Sequence, residues 1–457
     1  MSHREFDVIV VGAGPAGSSC ARFLTEAGKR VVILDRVSFP RVKLCAGWLS
    51  NPVWTELALT PDDYDRSLWK WNRCYVHFGG NCHQVEVDGF FIRRVEFDDF
   101  LVRQSGAELV EHQVKSIVRE GTDWIIDETF RAPVVVGAAG THCPVARALY
   151  GRRPNRPSGA RELEFQLNED DIRATRAGLN GEPELYLHSD LRGYSWNIPK
   201  SDWLNVGTGT LEAKQVHAAW AEARDVFDAA GHLPASAAPS LEKMKGHSYY
   251  LFQPAHLDRS GRDGIVLVGD SIGLAHPLTA EGILPAITSA RIAADLIVVN
   301  KLARYRDQLA NHRLFREYAT LWRLRDTAGA LRSRSRESDY SVDRQAAGLF
   351  GRMLKRVAGQ RVELAASWLI ARGFAWMFAG RSIPAYQAVG SIIHTARRWD
   401  RFVSEDVLSQ RKLGGKPETL IKPTRDSRET VSQDQSQQGQ SQHEATRFNG
   451  IHSADSV

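Results

Sequence analysis

Three glycines near the N-terminus have the spacing that brings a protein backbone close to a phosphate group. Gly12, Gly14 and Gly17 fill a G-x-G-x-x-G pattern within the segment from Phe6 to Asp35. In this pattern the first glycine permits a tight turn, the second lets the backbone approach a pyrophosphate, and the third lets a helix pack closely on a strand. Free N–H groups at the start of that helix then face the phosphates. The motif predicts a dinucleotide site but does not distinguish NAD from FAD.

The residues around these glycines predict the strand–helix–strand unit that such a site requires. The apolar runs Val8 to Val11 and Val31 to Leu34 predict two buried strands, and Ala21 and Leu24 give the helix between them a packing face. Asp35 ends the second strand, about twenty residues beyond the glycines, where an acid accepts hydrogen bonds from a ribose diol. A glycine-rich turn in another α/β fold is the alternative, and the register of the surrounding elements disfavours it.

Downstream patterns alternate between strands and helices, which predicts an α/β fold with a second sheet. The segment Tyr75 to Phe91 alternates apolar and polar residues, and a helix is predicted from about Glu96 to Gln104, with Arg94 at its entrance. We expect a strand from Glu108 to Val114. Another, Val134 to Val136, should return the chain to the nucleotide sheet.

Strand patterns resume from Arg161 to Thr210 in meander order, which predicts a substrate-domain sheet. Further on, a strand from Gly264 to Val268 precedes the Gly269-Asp270 pair, and Glu281-Gly282 opens a long apolar helix. The predicted domain ranges are 1–74, 94–160 and 261–300 for the nucleotide-binding domain, 75–93 and 161–260 for the substrate domain, 301–403 for a C-terminal helical region, and 404–457 for a disordered tail.

The C-terminal helical region is unusually apolar from Leu364 to Ile393, although charged residues and a proline interrupt it. No run reaches the roughly eighteen residues of a membrane span. Two interpretations remain open, namely core helices or a lipid-facing surface. The second would give the protein a peripheral membrane contact.

The composition limits the classes of protein to which this chain can belong. The chain has 457 residues, 43% of them hydrophobic, which is enough for a large core and two or three domains. The formal net charge of +5 is modest, and no basic-aromatic pattern indicates nucleic acid. Clustered arginines after Arg291 form either a solvated helical face or a site for an anionic partner. The five cysteines are odd in number and lack metal-ligand spacing. With no export signal ahead of the first strand, they favour a reduced, cytoplasmic location and no bound metal.

Three blocks that lie far apart in the chain occur in the order found in one family. They read GAGPAG followed by KLCAGWLS, then LRGYSWNIPKSDWLNVGTG, then GDSIGLAHPLTAEGI. Together they resemble the FAD-dependent geranylgeranyl reductases, within the wider p-hydroxybenzoate hydroxylase-like flavoproteins. The corresponding family patterns are K-x-C-G-G, Y-x-W-x-F-P with a trailing N-V-G, and G-D-A-A-G-x-x-x-P-x-x-G-E-G-I. Here Ala46 replaces the first glycine of the C-G-G loop, which narrows the space over a flavin.

The resemblance implies a Rossmann-type FAD-binding domain with an inserted antiparallel β-sheet substrate domain and a C-terminal helical region. By the same resemblance, FAD contacts fall on Ala16, Asp35, Cys45, Ala46, Arg94, the backbone at Val114, Asp270, Gly282 and Ile283. Elementary chemistry agrees with the third block. An aspartate that follows a strand can hold the ribityl hydroxyls, and N–H groups at Gly282 and Ile283 can stabilise the negative charge of reduced flavin.

Three side chains are candidates for the chemistry itself. The family likeness makes Cys45 a redox or proton-transfer residue beside the flavin, although a small packing residue is an equal alternative. Tyr194 and Trp196 alternate with Ser195 on a predicted strand and should face the same way. They form either an aromatic wall for an apolar substrate or ordinary sheet-core packing.

The resemblance implies an FAD-dependent reductase that saturates double bonds of an isoprenoid or other lipid-like substrate. The electrons would come from NAD(P)H or from a protein donor, and the sequence does not choose between them. A flavin monooxygenase or halogenase is the alternative, because Tyr194 to Pro199 departs from the halogenase pattern W-x-W-x-I-P only at Tyr194. The GEGI-type block and the Cys45 loop favour the reductase.

Overall fold

The computed structural model describes residues 3–153, 157–188, 190–234, 243–337, 370–374 and 376–377. The strands, numbered along the chain, are β1 (Arg4–Glu5), β2 (Val8–Val11), β3 (Val31–Asp35), β4 (Trp48–Leu49), β5 (Leu68–Phe78), β6 (Asn81–Ile92), β7 (Glu108–Glu111), β8 (Ile117–Glu120), β9 (Asp123–Ile126), β10 (Phe130–Ala132), β11 (Val134–Gly137), β12 (Ser158–Gln166), β13 (Glu184–Leu187), β14 (Gly193–Lys200), β15 (Trp203–Thr210), β16 (Lys245–Tyr249), β17 (Gly261–Arg262) and β18 (Ile265–Leu267). The helices are α1 (Pro15–Glu26), α2 (Pro52–Leu57), α3 (Arg94–Gln104), α4 (Pro144–Tyr150), α5 (Glu169–Leu179), α6 (Val216–Ala229), α7 (Ile283–Val298), α8 (Tyr305–Asn311) and α9 (Arg313–Glu337).

The first sheet carries the nucleotide-binding pattern. Its order is β17-β18-β11-β2-β3-β7, and every neighbouring pair is parallel except β17 with β18. Strands β2, β3 and β11 are continuous apolar runs because both faces of a parallel sheet are covered. The predicted strands at Val8 to Val11, Val31 to Leu34 and Val134 to Val136 are confirmed, the last two each extending one residue further.

The second sheet has the order β16-β12-β15-β14-β13-β5-β6-β4. Its pairs are antiparallel apart from β13 with β5, which are parallel. The predicted meander is right for β13, β14 and β15 but wrong for β12, which pairs with β15. Helix α5 lies between β12 and β13 and carries the chain across the sheet, so β12 joins the far side of β15. Strand β5 begins at Leu68, inside the range predicted for the nucleotide-binding domain.

A small third sheet has the order β1-β10-β9-β8 and contains a hairpin of β8 and β9. The predicted strand from Glu108 to Val114 is too long, because β7 stops at Glu111. The Asp127 carboxylate explains this end. It accepts a hydrogen bond from the backbone N–H of Ser116 at 2.6 Å and from that of Lys115 at 3.1 Å, which turns the chain out of the first sheet.

Two helices cover the first sheet where the three sequence blocks meet. Helix α1 packs against the buried helix α7, whose first residue follows Gly282 as predicted. Helix α3 begins at Arg94, slightly before the predicted Glu96. The helical prediction for 301–403 holds for α8 and α9, and most of its remainder, including much of Leu364 to Ile393, lies outside the described residues. The tail predicted at 404–457 also lies outside them.

No helix in the described part of the chain is long and apolar enough to cross a membrane. The remaining domain boundaries stay predictions.

The three glycines of the cradle have distinct steric roles. Gly12 has φ of +105°, and a Cβ there would lie 2.6 Å from the Cα atom of Ala139. A Cβ on Gly17 would lie 1.8 Å from the carbonyl oxygen of Gly12, so only glycine lets α1 sit this close to the loop after β2. At Gly14 the nearest atom to a Cβ is the Arg41 guanidinium at 3.7 Å. Gly14 therefore faces open space, as a ligand-approach position requires.

This difference predicts unequal losses of stability for two matched substitutions. Gly17→Ala should lower the free energy of unfolding by about 3 kcal/mol, because backbone must move to admit the methyl group. Gly14→Ala adds the same methyl group without a clash and should change it by about 0.5 kcal/mol or less. Urea unfolding followed by circular dichroism measures both. Equal stability losses would contradict the packing role of Gly17.

Candidate functional site

A cavity of about 1550 Å³ lies where the first and second sheets meet. Every site residue predicted from the sequence lines it except Gly17, which instead packs α1 against Gly12. The residues that the cavity brings together are Gly12, Gly14, Ala16, Asp35, Cys45, Ala46, Arg94, Val114, Tyr194, Trp196, Asp270, Gly282 and Ile283. The structure thus groups residues from four distant parts of the chain.

One end of the cavity is built by the cradle and Asp35. The Ala13 backbone N–H donates to Asp35 Oδ2 at 2.7 Å, which fixes the carboxylate beside the glycine turn. The His112 N–H donates to the Asp35 carbonyl oxygen at 2.6 Å, and the chain then passes the cavity at buried Val114. This is the arrangement that a ribose diol requires, with an anchored acid at the carboxyl end of β3.

Arg94 is held inside the wall of the cavity. Its Nε and Nη2 atoms donate to the two carboxylate oxygens of buried Asp98, at 2.7 and 2.8 Å. Arg41 approaches the same carboxylate at 3.3 Å. Burial alone would lower the pKa of Arg94, but Asp98 and the neighbouring Cys45 side chain outweigh it and raise that pKa. Arg94 is therefore a fixed positive charge, whereas a solvated helix-entry arginine would be mobile.

Asp270 and the start of α7 form another part of the wall. Asp270 Oδ1 is buried and has no hydrogen-bond partner, and burial raises the pKa of this carboxyl against the opposing charges of Lys43 and Arg94. A Cβ on Gly282 would point toward the Asp270 carboxylate at 3.6 Å with nothing closer. Buried polar atoms normally have a hydrogen-bond partner, which a ligand or an ordered water molecule can supply here. The ribityl hydroxyls of FAD are suitable donors, so these residues fit the flavin.

Cys45 lies on a loop that the second sheet holds in place. Gly47 has φ of +72°, and its carbonyl accepts the Ile92 N–H at 2.8 Å. A Cβ on Gly47 would lie 2.0 Å from the Ile92 carbonyl oxygen. Asn205 donates to the Cys45 carbonyl at 3.3 Å, and the Trp196 indole donates to Asn205 at 2.7 Å. Trp196 therefore helps to position the cysteine.

Tyr194 and Trp196 line the cavity and also pack in a buried apolar cluster of the second sheet, so both interpretations of this aromatic pair stay predictions. Tyr194 and Trp196 lie on the same face of β14 with ring centroids 5.7 Å apart. Tyr194 donates its hydroxyl to the Thr279 carbonyl at 2.6 Å. A Cβ on Gly207, directly opposite Trp196, would lie 2.3 Å from the indole, so this glycine makes room for the ring.

Two carboxyl groups on the wall were not singled out from the sequence. Burial raises the pKa of Glu162 to about 7 against the opposing charges of Lys200 and Lys43. Burial likewise raises the pKa of Glu281 to about 7, although Ser50 donates to it at 2.7 Å. The alternation of Glu162 with Leu163 marks a strand but does not say which face is buried. Glu281 lies in the GEGI-like block, and this position was the sequence feature that could have identified it as a site residue.

His247 is a third titratable group on the wall that sequence reasoning missed. Burial, with the charges of Lys43 and Arg94, lowers its pKa to about 3, so it is neutral at physiological pH. In the part of the chain that the structure describes, no cluster of three or more His, Cys, Asp or Glu side chains could hold a metal ion. The cavity therefore offers acids, a thiol and aromatic rings for chemistry.

A smaller cavity of about 290 Å³ adjoins the first. Tyr194, Tyr249 and Ala280 line both. Apart from Arg192 and Arg325, its wall is largely apolar, and it includes Phe374, whose ring meets Tyr194 edge-on at 5.2 Å. Part of the apolar C-terminal segment thus packs beside Tyr194.

The raised pKa of Glu281 predicts a pH-dependent stability. The folded protein holds the Glu281 proton more tightly than the unfolded chain does. The protonated carboxyl group therefore stabilises the fold fully below about pH 4.5, and this stabilisation is lost as the pH rises through 7. Glu281→Gln cannot ionise. The free energy of unfolding of Glu281→Gln, measured relative to that of the unsubstituted protein, should therefore increase between pH 5 and pH 8 by up to about 3 kcal/mol. Urea unfolding at both pH values measures the gain, and a pH-independent difference would show that Glu281 titrates normally.

Comparisons with known proteins agree with the geometry. A family model described as an FAD binding domain matches residues 5–50. A geranylgeranyl bacteriochlorophyll reductase-like protein from Thermoplasma acidophilum superposes with a TM-score of 0.51 and 20% identity, covering 71% of this chain and 84% of that one. The flavin-dependent brominase Bmp2 gives a TM-score of 0.53 and 17% identity, covering 87% of this chain and all of its own. At these identities the structures show a shared fold only.

Sequence relatives are more specific. Digeranylgeranylglycerophospholipid reductase 1 of Methanopyrus kandleri is 30% identical over 64% of this chain and 80% of its own length. The menaquinone reductase of Mycobacterium tuberculosis is 28% identical over 70% of this chain and 83% of its own. The geranylgeranyl diphosphate reductase of a Synechocystis species is 27% identical over 64% and 75%. The chain belongs to the geranylgeranyl reductase family of FAD-dependent oxidoreductases.

Proposed function

We propose that this protein reduces carbon–carbon double bonds of an isoprenoid or similar lipid-like substrate. The observation that carries the proposal is that the two cavities are adjacent and share part of their wall. The larger one is lined by the proposed FAD-contact residues and Cys45, and the smaller, largely apolar one shares Tyr194, Tyr249 and Ala280 with it. A substrate with a reactive double bond and a long apolar tail matches this shape. The relatives named for geranylgeranyl and menaquinone substrates support the same class.

We propose that FAD is held by the residues predicted from the sequence. The cradle at Gly12, Gly14 and Ala16 would receive the pyrophosphate, and Asp35 the adenosine ribose. Asp270, with its unpartnered oxygen, would accept from the ribityl chain. The backbone N–H groups at Gly282 and Ile283 would lie at the flavin ring. Arg94 and Val114 would complete the cofactor wall on the other side.

Saturating an alkene requires a hydride at one carbon and a proton at the other, and bound reduced flavin supplies the hydride. The chain must supply the proton and exclude water. Cys45 lies on the fixed loop beside Ala46, where its thiol can give a proton to the substrate. Tyr194 and Trp196 present apolar ring faces that would orient the double bond and keep water away from it.

The substrate tail would extend past Tyr194 into the smaller cavity. Leu191 and Ile370 line this cavity and remain 45% and 38% exposed. Exposed apolar side chains at the mouth of an apolar cavity are suited to a peripheral membrane contact through which a lipid could enter. The electrons would come from NAD(P)H or from a protein donor.

A monooxygenase or halogenase is the second candidate, and the motif at Tyr194 to Pro199 favours it, since it differs from the halogenase pattern at one position. The shared fold with a brominase is compatible with it. The relatives and the Cys45 loop favour the reductase.

Product mass distinguishes these reactions. Under anaerobic conditions, with dithionite as reductant and a geranylgeranyl-bearing lipid as substrate, we expect products that have gained two hydrogens per reacted double bond. A parallel reaction with air, NAD(P)H and halide should add neither oxygen nor halogen. A product that gains oxygen or halogen in air, with no hydrogen gained under anaerobic conditions, would contradict the reductase. Lipid that co-purifies with the protein, identified by mass spectrometry, would name the natural substrate.

The proposed role of Cys45 predicts a selective loss. Cys45→Ser should lower the turnover rate by about 100-fold, because the hydroxyl is a much weaker acid than the thiol, while FAD remains bound. Cys82→Ser makes the same change at an exposed cysteine outside the cavity and should leave turnover unchanged. Steady-state rates and the flavin absorbance of the purified variants measure both effects. Full turnover in Cys45→Ser would remove Cys45 from the mechanism.

A further inference from the structure

Glu162 is a buried acid that faces the cavity. It lies on β12, its side chain is 2% exposed, and Oε2 has no hydrogen-bond partner. The backbone N–H of Cys45 interacts with its carboxyl group, which places the acid next to the loop that carries the thiol. Buried polar atoms normally have a partner. An unpartnered carboxyl oxygen on the wall of a reaction cavity is therefore an unusual feature that a structural role does not explain.

The titratable groups around Glu162 come from one loop and from three strands of the second sheet. They are Lys43 and Cys45 on the loop before β4, Glu164 on β12, Tyr194 and Lys200 on β14, and Lys245 and Tyr249 on β16. Lys200 donates to Glu164 at 2.7 Å and to the Ile92 carbonyl at 2.9 Å, so its charge is largely committed to those partners. Burial therefore outweighs these charges and raises the pKa of Glu162 to about 7.

A proton donor that turns over needs a second acid to restore it. Once the Cys45 thiol has given up its proton, a thiolate would remain on the wall of the cavity. Glu162 is the buried acid that interacts with the Cys45 loop. Glu281, the other acid on the wall with a raised pKa, is instead bonded to Ser50.

We propose that Glu162 returns a proton to Cys45 after each reduction, an inference that rests on the proposed reductase function. In the first step the S–H bond of Cys45 breaks and a C–H bond forms on the substrate carbon, while the other carbon receives the hydride. In the second step the O–H bond of Glu162 breaks and the S–H bond re-forms. The Glu162 carboxylate then takes a proton from solvent, and the electrons are replaced by NAD(P)H or a protein donor. Each cycle therefore consumes one hydride and one proton.

The pH dependence of Cys45 alkylation tests the contact without any catalytic turnover. Iodoacetamide reacts with the thiolate, and mass spectrometry of the Cys45 peptide separates it from exposed Cys82. In the unsubstituted protein we expect the rate to deviate from a simple one-group titration near pH 7, where Glu162 ionises and disfavours the adjacent thiolate. Glu162→Gln should remove the deviation and raise the alkylation rate above that pH by about tenfold, because the negative charge beside the loop is gone.

The same variant should show a specific kinetic defect. Glu162→Gln should lower kcat by about 100-fold with little change in KM, and Glu162→Asp, which keeps a carboxyl group, should restore part of it. Glu281→Gln makes the same carboxyl-to-amide change outside the Cys45 contact and should retain the deviation near pH 7. Flavin absorbance confirms that each variant is folded and loaded.

Two results would overturn the inference. One is a simple one-group alkylation profile in the unsubstituted protein, which needs no variant to fold. The other is an unchanged kcat in folded Glu162→Gln. Failure of the reductase function itself gives a different result. The unsubstituted protein would then reduce no alkene, while the alkylation of Cys45 would still deviate from a one-group profile near pH 7.

Discussion

The site depends on the position of one short loop between the two large sheets. Gly47 has no room for a side chain against the Ile92 carbonyl, and its own carbonyl accepts the Ile92 N–H. Asn205, itself bonded to Trp196, holds the Cys45 carbonyl. These contacts fix a thiol from the first part of the chain against a wall from the second sheet.

Burial of charge is the second constraint on this cavity. Arg94 stays charged because Asp98 pairs with it through both oxygens, whereas Glu162 and Glu281 lack such compensation and keep their protons to near neutral pH. His247 is kept neutral by burial and by nearby cations. The wall thus combines positive charges, the ion-paired Arg94 among them, with groups that can hold or release protons. A hydride-transfer site with a separate proton supply needs this division.

Much of this architecture could be predicted from the sequence, where local rules decide the outcome. The glycine spacing and apolar runs identified β2, α1 and β3, and the family resemblance indicated site residues that, apart from Gly17, all line the cavity. The pairing of β12 with β15 was not predictable, because pairing order depends on contacts far apart in sequence. Nor was the burial of Glu162, since alternation on a strand does not specify which face is covered. Strand β7 ended early because a distant carboxylate, Asp127, turned the chain.

We propose that separate parts of the chain together hold one flavin, with Asp270 supplying a ligand beside the start of α7. Titration of flavin-free protein with FAD, followed by flavin fluorescence, tests this most directly. The account predicts saturation at one FAD per chain, and at least about tenfold weaker binding by Asp270→Ala, which corresponds to about 1.4 kcal/mol. Absence of FAD binding by the unsubstituted protein, or equal affinity in the variant, would contradict it.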